Sequence, residues 1–155
     1  MGPWTLAFHV FGVEPFLLGT VDDPAETMKS LRKLMEFTIL FGEAQIEAGA
    51  DVLTVPDHAT GDLVSGEYYR RFLLEIHQEL VEILPVPLIL HICGNTVDRM
   101  PYIAQTGMAA FHFDSKNDPQ DAMEAVDGGI KLVGNINNPT TLYSRGPEEV
   151  RKEVY

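Results

Sequence analysis

Four times along this chain a short apolar run gives way to a polar loop and then to a helical pattern. The runs cover 51–56, 86–93, 109–113 and 130–133. The helical patterns follow over about 65–84, 96–107, 119–126 and from 146 onward. Strands separated by helices cannot pair as hairpins, so the alternation predicts parallel β/α units with right-handed crossovers. The runs are apolar throughout, as strands covered on both faces are. A longer helix precedes them. Asp23-Pro24-Ala25-Glu26 supplies an N-cap, a proline at the first position and an acid two positions further on. Apolar residues then recur through Met28, Leu31, Leu34, Met35, Phe41 and Ile46 to a stop at Gly49, with a break expected midway. Residues 8–21 read as loop and short helix. The expected fold class is α/β: a partial (β/α)8 barrel of about four units, forming one domain over 1–155 and incomplete because closure takes eight strands.

Function classes are excluded before any motif is read. Lys plus Arg number 11 against 23 Asp plus Glu, a net charge of −12, which argues against a nucleic-acid surface. No apolar span is long enough for a membrane helix, and the opening Met1-Gly2-Pro3-Trp4 lacks a signal peptide's basic start, so a cytoplasmic protein is expected. A single cysteine rules out an internal disulfide. No Gly-x-Gly-x-x-Gly and no Gly-x-x-x-x-Gly-Lys follows any strand, so dinucleotide and P-loop readings lack support.

Polar residues collect where each strand ends: Asp57 and His58, His91 and Cys93, His112 and Asp114, Asn135 and Asn137. In a β/α barrel that rim carries the chemistry. His91 and Cys93 are the sharpest case. Two residues apart on a strand, they point to one face, and an imidazole beside a thiolate is most of a minimal open zinc site. Gly94 then permits a tight turn. The plainer alternative is a small buried thiol next to a hydrogen-bonded histidine. Asp57 and His58 either orient a ligand and exchange a proton, or cap a loop and face solvent. His112 either joins or supports a metal, or packs between Phe111 and Phe113. Asn135 and Asn137 have turn chemistry as their alternative, with Asn138-Pro139 following. Tyr68-Tyr69-Arg70-Arg71-Phe72 reads as a helix face, and Trp4 and Phe8 as packing against the barrel wall.

Gly2-Pro3-Trp4-Thr5-Leu6-Ala7, Ala48-Gly49-Ala50-Asp51, His91-Ile92-Cys93-Gly94 and Gly134-Asn135-Ile136-Asn137 resemble the uroporphyrinogen decarboxylase superfamily. Within it they look most like its cobamide-dependent branch, the methylcobalamin:coenzyme M methyltransferases. The resemblance implies a complete barrel roughly twice this length, of which the chain is the central-to-late portion. It implies that His91 and Cys93 are ligands of a catalytic Zn2+, with a further cysteine expected beyond Tyr155. It implies transfer of a methyl group from a methylcobamide, carried on a partner corrinoid protein, to a thiol such as coenzyme M. On that reading Asp57 and His58 are catalytic, while His112, Asp114, Asn135 and Asn137 contact substrate, the asparagines through a sulfonate or a corrinoid amide. Lys116 either pairs with an anionic substrate or is a solvated loop lysine. The alternatives are a metal-free lyase acting on a porphyrinogen and an inactive barrel fragment. Open barrel edges are expected to promote self-association.

Overall fold

Three helices open the chain, where the sequence suggested loop with a short helix and then one long helix. A computed structural model describes residues 1–154 and places α1 at Pro3–Phe11, α2 at Val13–Asp22 and α3 at Pro24–Glu47. Residues 8–21 are therefore almost wholly helical. Pro3 sits in the first turn, where a missing N–H costs nothing, and Gly12, at φ 84°, bends the α1–α2 pair by 111°. The helical signal was hidden because Trp4, Ala7 and Phe16 bury inward while Val10, Phe11, Val13 and Leu18 are exposed, which blurs any polar face. The midway break expected in α3 is absent. Asp23 caps it, its carboxylate accepting from the Glu26 N–H at 3.0 Å. Gly42 allows it to lie close to the sheet, since a β-carbon there would stand 3.1 Å from Leu84 and 3.3 Å from Leu53.

The four strands are β1 (Leu53–Pro56), β2 (Leu88–Ile92), β3 (Ala110–Phe113) and β4 (Lys131–Val133), all parallel and in chain order across one sheet. Leu53, Val55, Leu88, Leu90, Ile92, Phe111 and Phe113 are buried in the core they share with the helices. The other face was expected to be covered too, and it is not. Its residues form two rows in register, Thr54–Ile89–Ala110–Lys131 and Pro56–His91–His112–Val133. Thr54, Lys131 and Val133 are exposed, and His91 and His112 are half-buried. The second row stands at the strands' C-terminal ends, so the sheet delivers both histidines to the rim.

The expected helix over 65–84 is two, α4 (Gly66–Phe72) and α5 (Leu74–Ile83), parted at Leu73 although neither glycine nor proline stands there. The helix expected over 96–107 shrinks to a 3-10 turn at Val97–Arg99 and α6 (Met100–Ile103). Its path tightens into i→i+3 bonds at Gln105 and Thr106 before Gly107 at φ 78°. The last two helices, α7 (Pro119–Val126) and α8 (Pro147–Val154), lie where the sequence puts them. No single helix among the described residues is long and apolar enough to cross a membrane.

A buried polar chain ties these pieces together. The Asp57 carboxylate accepts from the Thr5 N–H at 2.7 Å, from the Thr5 hydroxyl at 3.1 Å and from His77 Nε2 at 3.1 Å. With its proton on Nε2, His77 accepts from the Tyr69 hydroxyl at Nδ1, 2.8 Å away. All four residues are buried, so β1, α1, α4 and α5 meet through one satisfied network. Burial, then the Asp57 charge, pushes the Tyr69 phenol well above its ordinary range. A raised value means the folded state holds this proton more tightly than the unfolded chain. Stability from Tyr69 is thus complete below about pH 10 and falls as pH climbs beyond it. Tyr69→Phe should cost about 1 kcal/mol near neutrality by leaving His77 Nδ1 without its donor. Urea denaturation at pH 7 and pH 10.5 should show the wild type losing more stability across that interval than the variant.

Candidate functional site at the strand ends

The site is built from the exit of β2. Pro87 precedes the strand, and Leu88, Leu90 and Ile92 anchor it in the core, which leaves Ile89 and His91 facing the open side with Cys93 next in the alternation. His91 Nδ1 lies 3.0 Å from the carbonyl oxygen of His112. A carbonyl only accepts, so Nδ1 carries the proton and Nε2 of the neutral ring offers its lone pair. Nε2 lies 3.0 Å from Cys93 Sγ, close enough for the thiol to donate to it. The two donor atoms converge on one point of the rim. A histidine whose second nitrogen is pinned by a backbone carbonyl is the arrangement that metal sites use to orient imidazole.

His112 stacks on His91 with ring centroids 4.6 Å apart and planes inclined by 31°. Burial and the neighbouring His91 lower its pKa against the opposing pull of Asp114, which favours the neutral ring. Cys93 moves the other way. Burial, then the Asp114 charge, pushes its thiol above the usual range, which disfavours the thiolate near neutral pH.

The loops around this pair are laced together. Gly94, at φ 80°, passes so near the β1 exit loop that a β-carbon on it would stand 2.3 Å from the Thr60 hydroxyl and 2.5 Å from Asp62 Oδ2. Asp62 in turn accepts from Asn95 Nδ2 at 2.7 Å and from Lys116 Nζ at 2.9 Å. Fully buried Arg99 donates to the carbonyls of Ala59 and Val64. Buried Asn117 accepts from the Thr96 N–H at 2.7 Å and donates to the Gly94 and Asp114 carbonyls. Asn135 Nδ2 donates to the Asn117 carbonyl at 2.8 Å.

Two adjoining clefts open there. An inner one of about 490 Å3 is lined by His91, Cys93, His112, Asp114, Asn135 and their neighbours. An outer one of about 790 Å3 runs past Ser115, Lys116, Asn135, Asn137 and Glu153. Five of the eight residues singled out from the sequence therefore share the inner cleft, and Asn137 lies in the outer one, its side chain capping the Thr140 N–H at 2.9 Å. Asp57 and His58 are not brought to either. Asp57 is fully buried, its carboxylate taken up by Thr5 and His77, so it holds the fold and meets no ligand. The backbone N–H of His58 donates to the Thr5 hydroxyl at 2.7 Å, and its side chain lines neither cleft. The sequence reading missed Arg99, Asn117, His77 and Tyr69. Tyr69 was read only as part of a helix face, and His77 left a trace as a histidine between the apolar Ile76 and Leu80 positions of an amphipathic helix.

His91 and Cys93 supply a nitrogen and a sulfur, the donor types of a zinc site. No group of three or more His, Cys, Asp or Glu side chains among the described residues is placed to hold a metal ion. The pair therefore fits as part of a ligand set.

Comparison with known proteins agrees with the fold. The chain is 37% identical over 96% of its length to a methylated-thiol–coenzyme M methyltransferase of Methanosarcina mazei, of which it covers 40%. It is 32% identical over 97% of its length to a methylcobamide:CoM methyltransferase of the same organism, covering 45% of it. A solved methyltransferase structure from Methanosarcina mazei superimposes with a TM-score of 0.85 at 29% identity, over 91% of this chain and 42% of that one. The chain thus spans less than half the length of the relatives it matches. The family model for uroporphyrinogen decarboxylase (URO-D) matches residues 1–155, and the chain belongs to that family.

Proposed function

We propose that this chain is part of a zinc-dependent methyltransferase that moves a methyl group from a methylated corrinoid, carried on a partner protein, to a small thiol such as coenzyme M. The observation that carries this reading is the convergence of His91 Nε2 and Cys93 Sγ, 3.0 Å apart, on the inner cleft. The relatives named for methyl transfer to coenzyme M support it. A porphyrinogen lyase would offer arginines to its substrate's carboxylates; among the described residues neither cleft is lined by one, and the one cation there is Lys116 in the outer cleft.

The chemical difficulty is that an alkyl thiol is mostly protonated near neutral pH and a poor nucleophile in that form. Zinc held in part by His91 and Cys93 would supply the positive charge that removes this proton. His91 contributes a fixed lone pair, because the His112 carbonyl holds its other nitrogen. Cys93 contributes negative charge once deprotonated, which keeps a neighbouring sulfur electron-rich. His112, Asp114 and Asn135 border the same space and serve as substrate contacts. In the transfer, a sulfur lone pair forms the new S–CH3 bond as the Co–CH3 bond breaks. Its electron pair stays on cobalt, which leaves as cobalt(I), and the thiol's proton passes to solvent.

Three measurements test this. Zinc affinity, read by competition with a chromophoric chelator, should fall about 100-fold in Cys93→Ser and in His91→Ala; unchanged affinity in both would remove the ligand assignment. In metal-free protein, the pH profile of Cys93 alkylation by iodoacetamide should have its midpoint above the ordinary thiol value of about 8.5. Asp114→Asn should bring that midpoint down by removing the nearby negative charge. We also propose that the open edges at β1 and β4 make the chain associate. Size-exclusion chromatography with light scattering should then show species larger than the 17.2 kDa monomer, and a single monomer peak would contradict this.

A further inference from the structure

The paired rows of the sheet stop at Ile92–Phe113 between β2 and β3 and at His112–Val133 between β3 and β4. Beyond those pairs the inner cleft is framed by three separate loops, and one residue touches all of them. Asn117, 4% exposed, stands in the loop after β3. Its Oδ1 accepts from the Thr96 N–H at 2.7 Å and its Nδ2 donates to the Gly94 carbonyl at 2.9 Å, so the loop after β2 is held at two points. Nδ2 also donates to the Asp114 carbonyl at 3.0 Å, which closes its own loop. The backbone carbonyl of Asn117 accepts from Asn135 Nδ2 at 2.8 Å, which brings in the loop after β4. A primary amide has two N–H donors and one carbonyl oxygen, and here all three are in use. A carboxylate would keep the bond to Thr96 and repel both carbonyls. A hydrocarbon of the same shape would lose every bond.

The consequence is felt at Cys93. On one side its chain neighbour Ile92 is locked in the core, and on the other stands Gly94, at φ 80°. Glycine is the residue most free to swing, so the rigidity it lacks has to come from its partners. We propose that Asn117 is a positioning residue for the ion-binding pair: through Gly94 it holds the Cys93 sulfur where it can share an ion with His91 Nε2, and through the Asp114 carbonyl it keeps the next loop beside them. The inference rests on the zinc reading for the identity of the ion, and on the four hydrogen bonds for the clamp. Two donors that form only part of a ligand set bind little unless they are in place before the ion arrives. Asn117 meets that need without itself touching the ion.

The test titrates Co2+ into the 155-residue chain, because a cobalt–thiolate bond gives a charge-transfer band that zinc lacks. In Asn117→Ala the affinity should fall about tenfold and the band should weaken. Tyr69→Phe, in the other buried network and away from both clefts, should leave affinity and band as in the wild type, which separates positioning from a general loss of stability. Asn117→Asp should also bind more weakly, although an added negative charge by itself would favour the cation. Wild-type affinity and band in Asn117→Ala, or tighter binding in Asn117→Asp, overturns the proposal. A second readout needs no metal. Exchange of the Thr96 amide hydrogen should quicken about tenfold in Asn117→Ala and stay slow in Asn117→Asp, where an acceptor remains. Equal exchange in the wild type and Asn117→Ala would show that no clamp exists. If the wild type gives no cobalt band, the zinc reading falls, and the exchange data alone decide whether Asn117 holds the loop. All titrations are run where circular dichroism shows each variant folded.

Discussion

Everything at the rim follows from the register between β2 and β3. Pairing His91 with His112 puts two imidazoles side by side on the open face, and the same ladder brings the His112 carbonyl within 3.0 Å of His91 Nδ1. That one hydrogen bond sets the tautomer of His91 and hence which nitrogen is left to bind anything. A slip of one residue would turn both rings into the helix-covered core and bring Leu90 and Phe111 to the rim. The core forbids it, because Leu88, Leu90, Ile92 and Phe111 are each at most 2% exposed. Hydrophobic burial on one face thus aims the chemistry on the other.

Register aims the side chains, and buried polar groups hold the loops that frame them. Arg99 is the clearest example: a fully buried guanidinium whose donors reach the Ala59 and Val64 carbonyls and the Asp98 carboxylate. A buried charge without such partners would be strongly destabilising. With them, it fixes the loop that presents Thr60 and Asp62 to Gly94. Asn117 does the same for the next loop, joining Thr96, Gly94 and Asp114 through one side chain. Asp57 belongs with these residues and not with the chemistry. Position alone suggested a catalytic carboxylate, since it stands at a strand end beside a histidine. Its environment decides otherwise, because three donors already occupy it where no ligand can reach.

How much of this was legible follows from the range of each interaction. The strands showed because a parallel strand is a local apolar run, and α7 showed because Asp118, Pro119 and the apolar period lie within nine residues. The His91–Cys93 pairing showed because alternation on a strand is local geometry. Residues 8–21 showed only as loop and short helix, because their helices are stabilised by Trp4, Phe8 and Phe16 packing edge to face and by Phe72 tilted against Trp4, contacts with no sequence period. Arg99 and Asn117 were illegible for a related reason. Most of their partners lie 18 to 40 residues away, and a polar residue on a short helix or loop reads as solvated until the fold closes over it.

Burial and neighbouring charge give the electrostatics of the rim their direction. At the rim the structure sets two groups whose charged forms are disfavoured, the His112 ring and the Cys93 thiol, near the carboxylate of Asp114. Carboxylate and burial together resist forming a thiolate at Cys93, so the site by itself is poor at nucleophilic chemistry. The same features make it receptive to a cation. A cation would neutralise the Asp114 field, accept the Nε2 lone pair and reverse the cost of the thiolate in one step. A thiol held back beside an imidazole lone pair turned forward is the physical argument behind the proposal that His91 and Cys93 act as ligands and not as an acid–base pair.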